Sequence, residues 1–300
     1  MSDNTKLTNT IKNHKTILKF NYMNIKVAFC FIVKDGADYL QKNIDTLKTI
    51  SENFLLSHIF AIENDSKDTT RNILSKEFEN GCITAFKLLD LDGKSSVELC
   101  KKERKYNCSK RTKRLAYLRG KALELAYTNT EEYDYLVMMD MDFVQLDIPS
   151  FIELLHYMES HKNINGIFGM SVTEENRSCA YDWGALRTKD RESFDDVRFF
   201  RRRYVPVLSA FSGFGVYRYS ELNFVGAQYK PEHVNDIEHI MFNSQLTNLI
   251  VDTNFRPVYK GKCFLPVNGK KKEIVPNEIH QYNVFLVILF IVIVYKLLII

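Results

Sequence analysis

Between residues 25 and 161 short apolar runs alternate with segments of helical period, and this alternation constrains the fold more than any other feature of the chain. It predicts strands near 25–33, 57–63 and 83–89, with helices near 37–50 and 67–79 between them. After a basic stretch a helix is expected over 110–128, with Leu115, Leu118, Ala122 and Leu125 as its core-facing stripe. An apolar strand ending near Met139 comes next, followed by a helix near 149–161 opened by Pro149, a residue favoured in a first helical turn. Strands alternating with helices imply an α/β fold: a Rossmann-like, mostly parallel sheet flanked by helices. The 300 residues, 45% hydrophobic, suffice for one large α/β domain or two small ones.

Asp140 and Asp142 follow the run Leu136-Val-Met-Met139 at a spacing of i, i+2. Alternate residues of a strand share a face, so both carboxylates would emerge together at the C-terminal end of a buried strand. Open α/β sheets receive their ligands at that edge. Two acids there can share a hard divalent cation, Mn²⁺ or Mg²⁺, that keeps positions for phosphate oxygens. Such a cation would hold a nucleoside diphosphate and neutralise it as it leaves. Among 37 acidic residues an Asp-x-Asp also arises by chance, and two solvated acids at a strand exit are the plain alternative. A second signal is the run from Ile59 to Leu74, a strand entering a polar turn and then a helix. Asp65, Ser66 and Asp68 are helix-initiating residues, with Asp68 the expected cap. Glu63 and Asn64 end the strand, where a base or ribose contact competes with simple turn chemistry.

The net charge of +4 conceals a basic segment, in which ten lysines and arginines between Lys101 and Lys121 face only Glu103. Such a segment seeks phosphate or anionic lipid, or simply lies solvated. Aromatic residues are not interleaved through it as base stacking requires, so nucleic acid is not the expected partner. Arg198 and Arg201 to Arg203 could bind a diphosphate or an acidic acceptor, with a solvated face as the alternative. Six scattered cysteines form no CxxC pair, against both a zinc site and a disulfide framework. Residues 1–23 are polar and lack the apolar core of a signal peptide. From Val284 the chain is apolar to Tyr295 and, after Lys296, to Ile300, close to the ~20 residues that cross a bilayer core. The expectation is a single-pass C-terminal tail anchor with the preceding domain in the cytosol, a buried strand pair being the alternative. Asn64, Asn107 and Asn176 begin Asn-x-Ser sequons. A glycan at Asn64 would obstruct the turn just described, which also favours the cytosolic side.

Taken in order, these blocks resemble the sugar-nucleotide-dependent glycosyltransferases of GT-A fold, and among them the group related to fungal capsule-associated α-1,3-mannosyltransferases. The matching runs are Glu63-Asn-Asp-Ser-Lys-Asp-Thr69, Arg114-Leu-Ala-Tyr-Leu-Arg-Gly-Lys-Ala-Leu123 and Met139-Asp-Met-Asp-Phe143. Tyr181-Asp-Trp-Gly-Ala-Leu-Arg187 and Val207-Leu-Ser-Ala-Phe-Ser-Gly-Phe-Gly-Val216 follow, so the resemblance spans about 25–265. It implies a nucleotide pocket from Glu63, Asn64, Asp65, Arg114 and Arg119, and a divalent metal at Asp140 and Asp142. The later blocks imply a sugar or acceptor pocket. Gly120 stands after the helix arginine where the family usually has Asn.

In the later blocks Asp182 and Trp183, the only tryptophan, offer an acid and an aromatic face of the kind that holds a sugar. Ser212 and Gly213 suit a close backbone approach or a plain turn. Asp236-Ile-Glu-His239 opens a segment expected to be helical through Leu246. Glu238 is the first candidate for a base that deprotonates an acceptor hydroxyl, with Asp236 second. His239 is a candidate third metal ligand and His280 its rival. The resulting expectation is a GT-A domain at 24–270, a linker at 271–282 and an anchor at 283–300. It would transfer a sugar from a UDP- or GDP-sugar to a glycan, protein or lipid hydroxyl. The competing reading is a tail-anchored nucleotide-sugar or glycan binding protein that keeps the fold without turnover.

Overall fold

The computed structural model describes residues 23–91, 110–177, 180–181, 183–188, 202–231, 236–261, 264–267 and 270–273. Strands β1 (Met23–Val33), β2 (Phe54–Asn64), β3 (Ala85–Leu89) and β4 (Tyr135–Asp140) alternate with helices α1 (Ala37–Ser51), α2 (Thr70–Glu79) and α3 (Lys110–Tyr127). These four strands pair in parallel in the order β3-β2-β1-β4. There follow β5 (Phe143–Gln145), α4 (Ile148–Ser160), β6 (Gly166–Gly169), β7 (Val172–Thr173), a 3₁₀ turn at Trp183–Ala185 and β8 (Tyr204–Val207). Then come β9 (Phe214–Arg218), α5 (Tyr219–Val225), α6 (Glu238–Asn243), β10 (Leu249–Asp252), β11 (Val258–Tyr259), β12 (Phe264–Val267) and β13 (Lys270–Glu273).

The main sheet continues beyond β4 with β9, β6, β10 and β8. Strand β9 is antiparallel to both neighbours, and β8 is antiparallel to β10. The sheet is mostly parallel, as expected, with β9 and β8 reversed. The reversal follows from the turn before β9, where the Asp140 amide at the end of β4 donates to the Gly213 carbonyl at 2.8 Å. A strand that begins beside the end of its neighbour has to run back along it. A small sheet, β5-β11-β7, and the hairpin β12-β13 complete the described strands.

Strand alternation divides the core into two layers. Val27, Phe29 and Phe31 of β1 pack with Leu40, Ile44 and Leu47 of α1 and Phe151 and Leu155 of α4. Ala28 and Cys30 pack with Ala116, Ala122 and Ala126 of α3, Leu222 of α5 and Phe242 of α6. Because both faces are covered, β1 reads as one unbroken apolar run.

The inner face of α3 is rotated from the expected stripe. Leu118 and Ala122 are buried, but Leu115 and Leu125 are only half-buried, and Ala116, Arg119, Leu123 and Ala126 complete the face. Small alanines bring the helix close to β1, with Cys30 Sγ 3.7 Å from the Ala122 carbonyl oxygen. The helix expected through Leu246 ends at Asn243 and gives way to a turn. Among the described residues no helix is long and apolar enough to cross a membrane. Residues 1–22, the linker beyond Glu273 and the expected anchor at 283–300 lie outside the described residues.

Candidate active site

In the parallel half of the sheet Ile32 pairs with Ile62 on one side and with Asp140 on the other, and Val33 pairs with Glu63. The ends of β1, β2 and β4 thus share one edge. The turns after β1 and β2 are joined to each other. The amides of Asp35, Gly36 and Ala37 donate to Ser66 Oγ, Thr70 Oγ1 and Asp68 Oδ2 at 2.8, 2.8 and 2.9 Å. In return the Lys67 amide donates to Asp35 Oδ1 at 2.7 Å. Asp68 also accepts from the Thr70 amide at 2.9 Å, so one carboxylate serves the first turns of both α1 and α2. Hydrogen bonding between the two turns therefore accounts for Ser66 and Asp68, while the N-cap position of α2 is Thr69 and not the expected Asp68.

Glu63 is completely buried, and both its oxygens are committed to protein donors. Oε1 accepts from the Ser66 amide at 2.6 Å and Oε2 from Arg71 Nε at 2.7 Å. Asn64 is buried beside it, with Nδ2 3.4 Å from Asp65 Oδ2. Asp65 has a φ of +56°, accepts from the Leu91 amide at 2.7 Å and pairs with Arg114 from the first turns of α3. These residues hold the ends of β2, β3 and α3 together. That is the fold-supporting side of the pocket the sequence suggested.

Asp140 at the end of β4 and Asp142 just beyond it both act on the hydroxyls of Tyr39 and Tyr259. The Tyr39 hydroxyl is pushed up to about 12 by burial and then by Asp142, Asp68, Asp140 and Asp35. Tyr259 is raised well above its ordinary value by burial and then by the same pair, Asp140 and Asp142. Two hard oxygen donors at one strand exit suit a divalent cation completed by phosphate oxygens. Among the described residues no three ligand-type side chains converge on one point. His239 is not brought into such a group. His280 lies outside the described residues.

Ser212 and Gly213, expected at a substrate pocket, form the turn that supports Asp140. Both have positive φ, +52° and +79°. The Gly213 carbonyl accepts from the Asp140 amide and, at 2.7 Å, from the Tyr259 hydroxyl. A Cβ on Gly213 would sit 2.6 Å from Tyr259 Cζ, so only glycine fits. Ser212 Oγ donates to the Tyr181 carbonyl at 2.6 Å, and the Tyr181 ring stacks on Tyr259 at 4.3 Å.

Within the layer of α3 and α6, Arg119 links Asp140 to Glu238. Only 4% exposed, it reaches Asp140 Oδ1 with Nη2 at 2.8 Å and Glu238 Oε1 with Nε at 3.4 Å, while its guanidinium lies 4.6 Å from the Phe211 ring centre. Burial alone would lower its pKa, but the Asp140 and Glu238 carboxylates outweigh burial and hold it above the ordinary value. Its contacts in this structure are with protein carboxylates. Its charge acts through Asp140. Glu238, at the start of α6 and likewise 4% exposed, has its carboxyl pKa raised by burial despite Arg119.

His239 stacks on Phe211 at 3.4 Å, and its Nδ1 lies 3.0 Å from the Tyr229 hydroxyl. Burial and then Arg119 push its pKa well below the ordinary value, so the ring is neutral. Nε2 lies 3.7 Å from Glu238 Oε1, beyond hydrogen-bond reach, and has no hydrogen-bond partner among the described residues. His239 thus faces the expected base and not the carboxylate pair.

Asp236 is exposed, pairs with Arg187 Nη2 at 3.1 Å and accepts from the Ile237 amide at 2.8 Å. Trp183 begins the 3₁₀ turn, and Asp182 lies outside the described residues. Gly120 approaches the backbone of Tyr229, where an added Cβ would be 3.2 Å from its carbonyl oxygen. A pocket of about 320 Å³ lies along the outer face of α3, lined by Tyr117, Lys121, Glu124 and Tyr127 with Gln228 and Tyr229. None of the strand-end carboxylates lines it.

Sequence reasoning missed Tyr39, Asn43, Tyr229 and Tyr259. Asn43 carried a signal, as a polar residue on the stripe of Leu40, Ile44 and Leu47. Tyr259 carried none, since a tyrosine in a short strand is unremarkable until its neighbours are known.

No family model matches the chain, and no curated protein matches it. Among solved structures, S. aureus TarS in complex with UDP is similar at a TM-score of 0.48 and 12% identity, over 79% of this chain and 61% of that one. The mannosyltransferase PcManGT from Pyrobaculum calidifontis, in complex with GDP-Man and Mn²⁺, is similar at 0.44 and 10%, over 84% and 63%. The chain thus spans about three fifths of the length of either structure. Similarity at this level assigns neither substrate nor mechanism to this chain.

Proposed function

We propose that the protein is a metal-dependent glycosyltransferase that moves a sugar from a UDP- or GDP-sugar to a hydroxyl of a glycan, protein or lipid. The observation that carries this reading is the carboxylate pair Asp140 and Asp142 at the sheet edge, joined through the buried Arg119 to Glu238. Asp140 and Asp142 would hold Mn²⁺ or Mg²⁺, and the chemistry supplied when that ion is bound is neutralisation of a departing diphosphate. Arg119 fixes the Asp140 carboxylate through the 2.8 Å contact of Nη2 with Oδ1. Glu238 takes the proton of the acceptor hydroxyl as its oxygen bonds to the anomeric carbon and the bond from that carbon to the diphosphate breaks. Burial raises the basicity of Glu238, which favours that role; Asp236, tied to Arg187, is the second candidate. The resemblance of the motif blocks to the capsule-associated group makes GDP-mannose one donor to include.

A donor-hydrolysis screen with UDP- and GDP-sugars, run with Mn²⁺ or with EDTA, tests the reading. Metal-dependent release of one nucleoside diphosphate, lost in Asp142→Ala, is the expected result. Metal-dependent nucleotide binding without release would favour a binding protein, and neither binding nor release would overturn the proposal. The same reading tethers residues 24–270 to a membrane through 283–300, on the cytosolic side. Protease accessibility of the domain in sealed vesicles checks that arrangement.

A further inference from the structure

Asp140 ends a ladder-bonded strand and is supported by Gly213, whereas Asp142 lies in the short link between β4 and β5. Its support comes from α1. Asn43 is fully buried on the inner stripe of that helix, among Leu40, Ile44 and Leu47. Its Nδ2 donates to the carbonyl oxygens of Met141 at 2.5 Å and Phe143 at 2.9 Å, the two residues that flank Asp142. Both acceptors are carbonyls, so the amide nitrogen has to face them. One residue earlier, the exposed Lys42 donates from Nζ to the Val144 carbonyl at 3.0 Å. Helix α1 therefore grips three carbonyls of the segment that carries Asp142. The arrangement has a cost, because the buried Asn43 Oδ1 has no partner among the described residues. An apolar residue at this position would extend the stripe without that cost, so packing alone does not explain an asparagine here.

We propose that Asn43 is a positioning residue for the cation site: by fixing the carbonyls on both sides of Asp142 it sets the direction of that carboxylate relative to Asp140. This rests on the reading of the carboxylate pair given above. Groups that orient a ligand from behind typically contribute about 10- to 100-fold in metal affinity.

The test is a Mn²⁺ titration of the full chain, followed by electron paramagnetic resonance, in the presence of UDP or GDP. Asn43→Leu is expected to weaken Mn²⁺ binding by about tenfold or more. Leu47→Ala, a buried truncation on the same helix, should lower the unfolding midpoint yet leave Mn²⁺ affinity unchanged. Asn43→Ser, which keeps one donor, should fall between wild type and Asn43→Leu. Lys42→Met alters an exposed side chain and should weaken binding by about twofold. If Asn43→Leu does not fold, Asn43→Ser and Lys42→Met carry the comparison. Wild-type Mn²⁺ affinity in the folded variants at position 43, or a loss matched by Leu47→Ala, would overturn the inference. Failure of the wild-type chain to bind Mn²⁺ with either nucleotide would instead remove the reading on which it rests.

Discussion

The turns after β1 and β2 and the junction of β4 with α3 and α6 hold the same sheet edge by different means. The first region uses hydrogen bonds between side chains and backbone amides, those of Asp35, Ser66 and Asp68 near the surface and that of Thr70 buried. The second uses one buried cation between two carboxylates. Hydrogen bonds that water can replace are individually modest and jointly redundant. A buried charge has no substitute, and loss of its partner leaves an uncompensated ion. The lesson is that the edge can lose single turn bonds of Asp35, Ser66 or Asp68 more readily than it can lose Arg119.

Arg119→Met would break that contrast most directly. Removing the buried cation should destabilise the fold by about 3–5 kcal/mol, read from urea unfolding, and abolish donor turnover with it. If the loss is no greater than that of a surface substitution, the junction is not organised as described. Glu238→Gln comes next and should spare most of the stability while lowering transfer by roughly 10²- to 10⁴-fold. The pH profile of the wild type should show an acid limb above the ordinary carboxyl value, because burial raises Glu238. As pH falls through that raised pKa the carboxylate is protonated and the base is lost, so the limb should vanish in Glu238→Gln. Gly213→Ala forces a Cβ against Tyr259 at a φ of +79° and should cost about 1–3 kcal/mol, with Mn²⁺ affinity falling because Asp140 is displaced.

The smallest effects belong to the hydrogen-bonded turns. Asp68→Ala removes a shared hydrogen-bond acceptor and should cost about 1 kcal/mol in thermal unfolding, with little change in turnover per folded molecule. Burial pushes the Asp68 carboxyl up, but the hydrogen bonds from Thr70 and Ala37 outweigh it and the pKa lies below its ordinary value. Its stabilisation is therefore present above the unfolded pKa and is lost as pH falls through the folded one. An acid titration of Asp68→Ala should lack that share of the loss. A turnover defect in Asp68→Ala as large as that of Glu238→Gln would show that the two regions are not distinct.

Local pattern alone identified the elements of the first half of the chain, because a buried parallel strand reads as an apolar run and a surface helix as a 3.6-residue period. β1, α1, β2, α2, β3, α3 and α4 all lie where these patterns put them, within a few residues. The Asp-x-Asp at a strand exit was legible for the same reason. The direction of β9 was not legible, since it depends on the positive φ of Ser212 and Gly213 and on their meeting with the Asp140 amide. The inner face of α3 was misread because Arg119 counts as a surface residue until two carboxylates from distant segments neutralise it. Sequence determines which stretches can bury apolar surface and which residues bring charge. Only the tertiary structure decides which charges meet: Arg119 with Glu238, 119 residues apart, Asn43 with the carbonyls around Asp142, and Tyr259 with Gly213. These contacts obey no local period, so they come into being only when the sheet assembles.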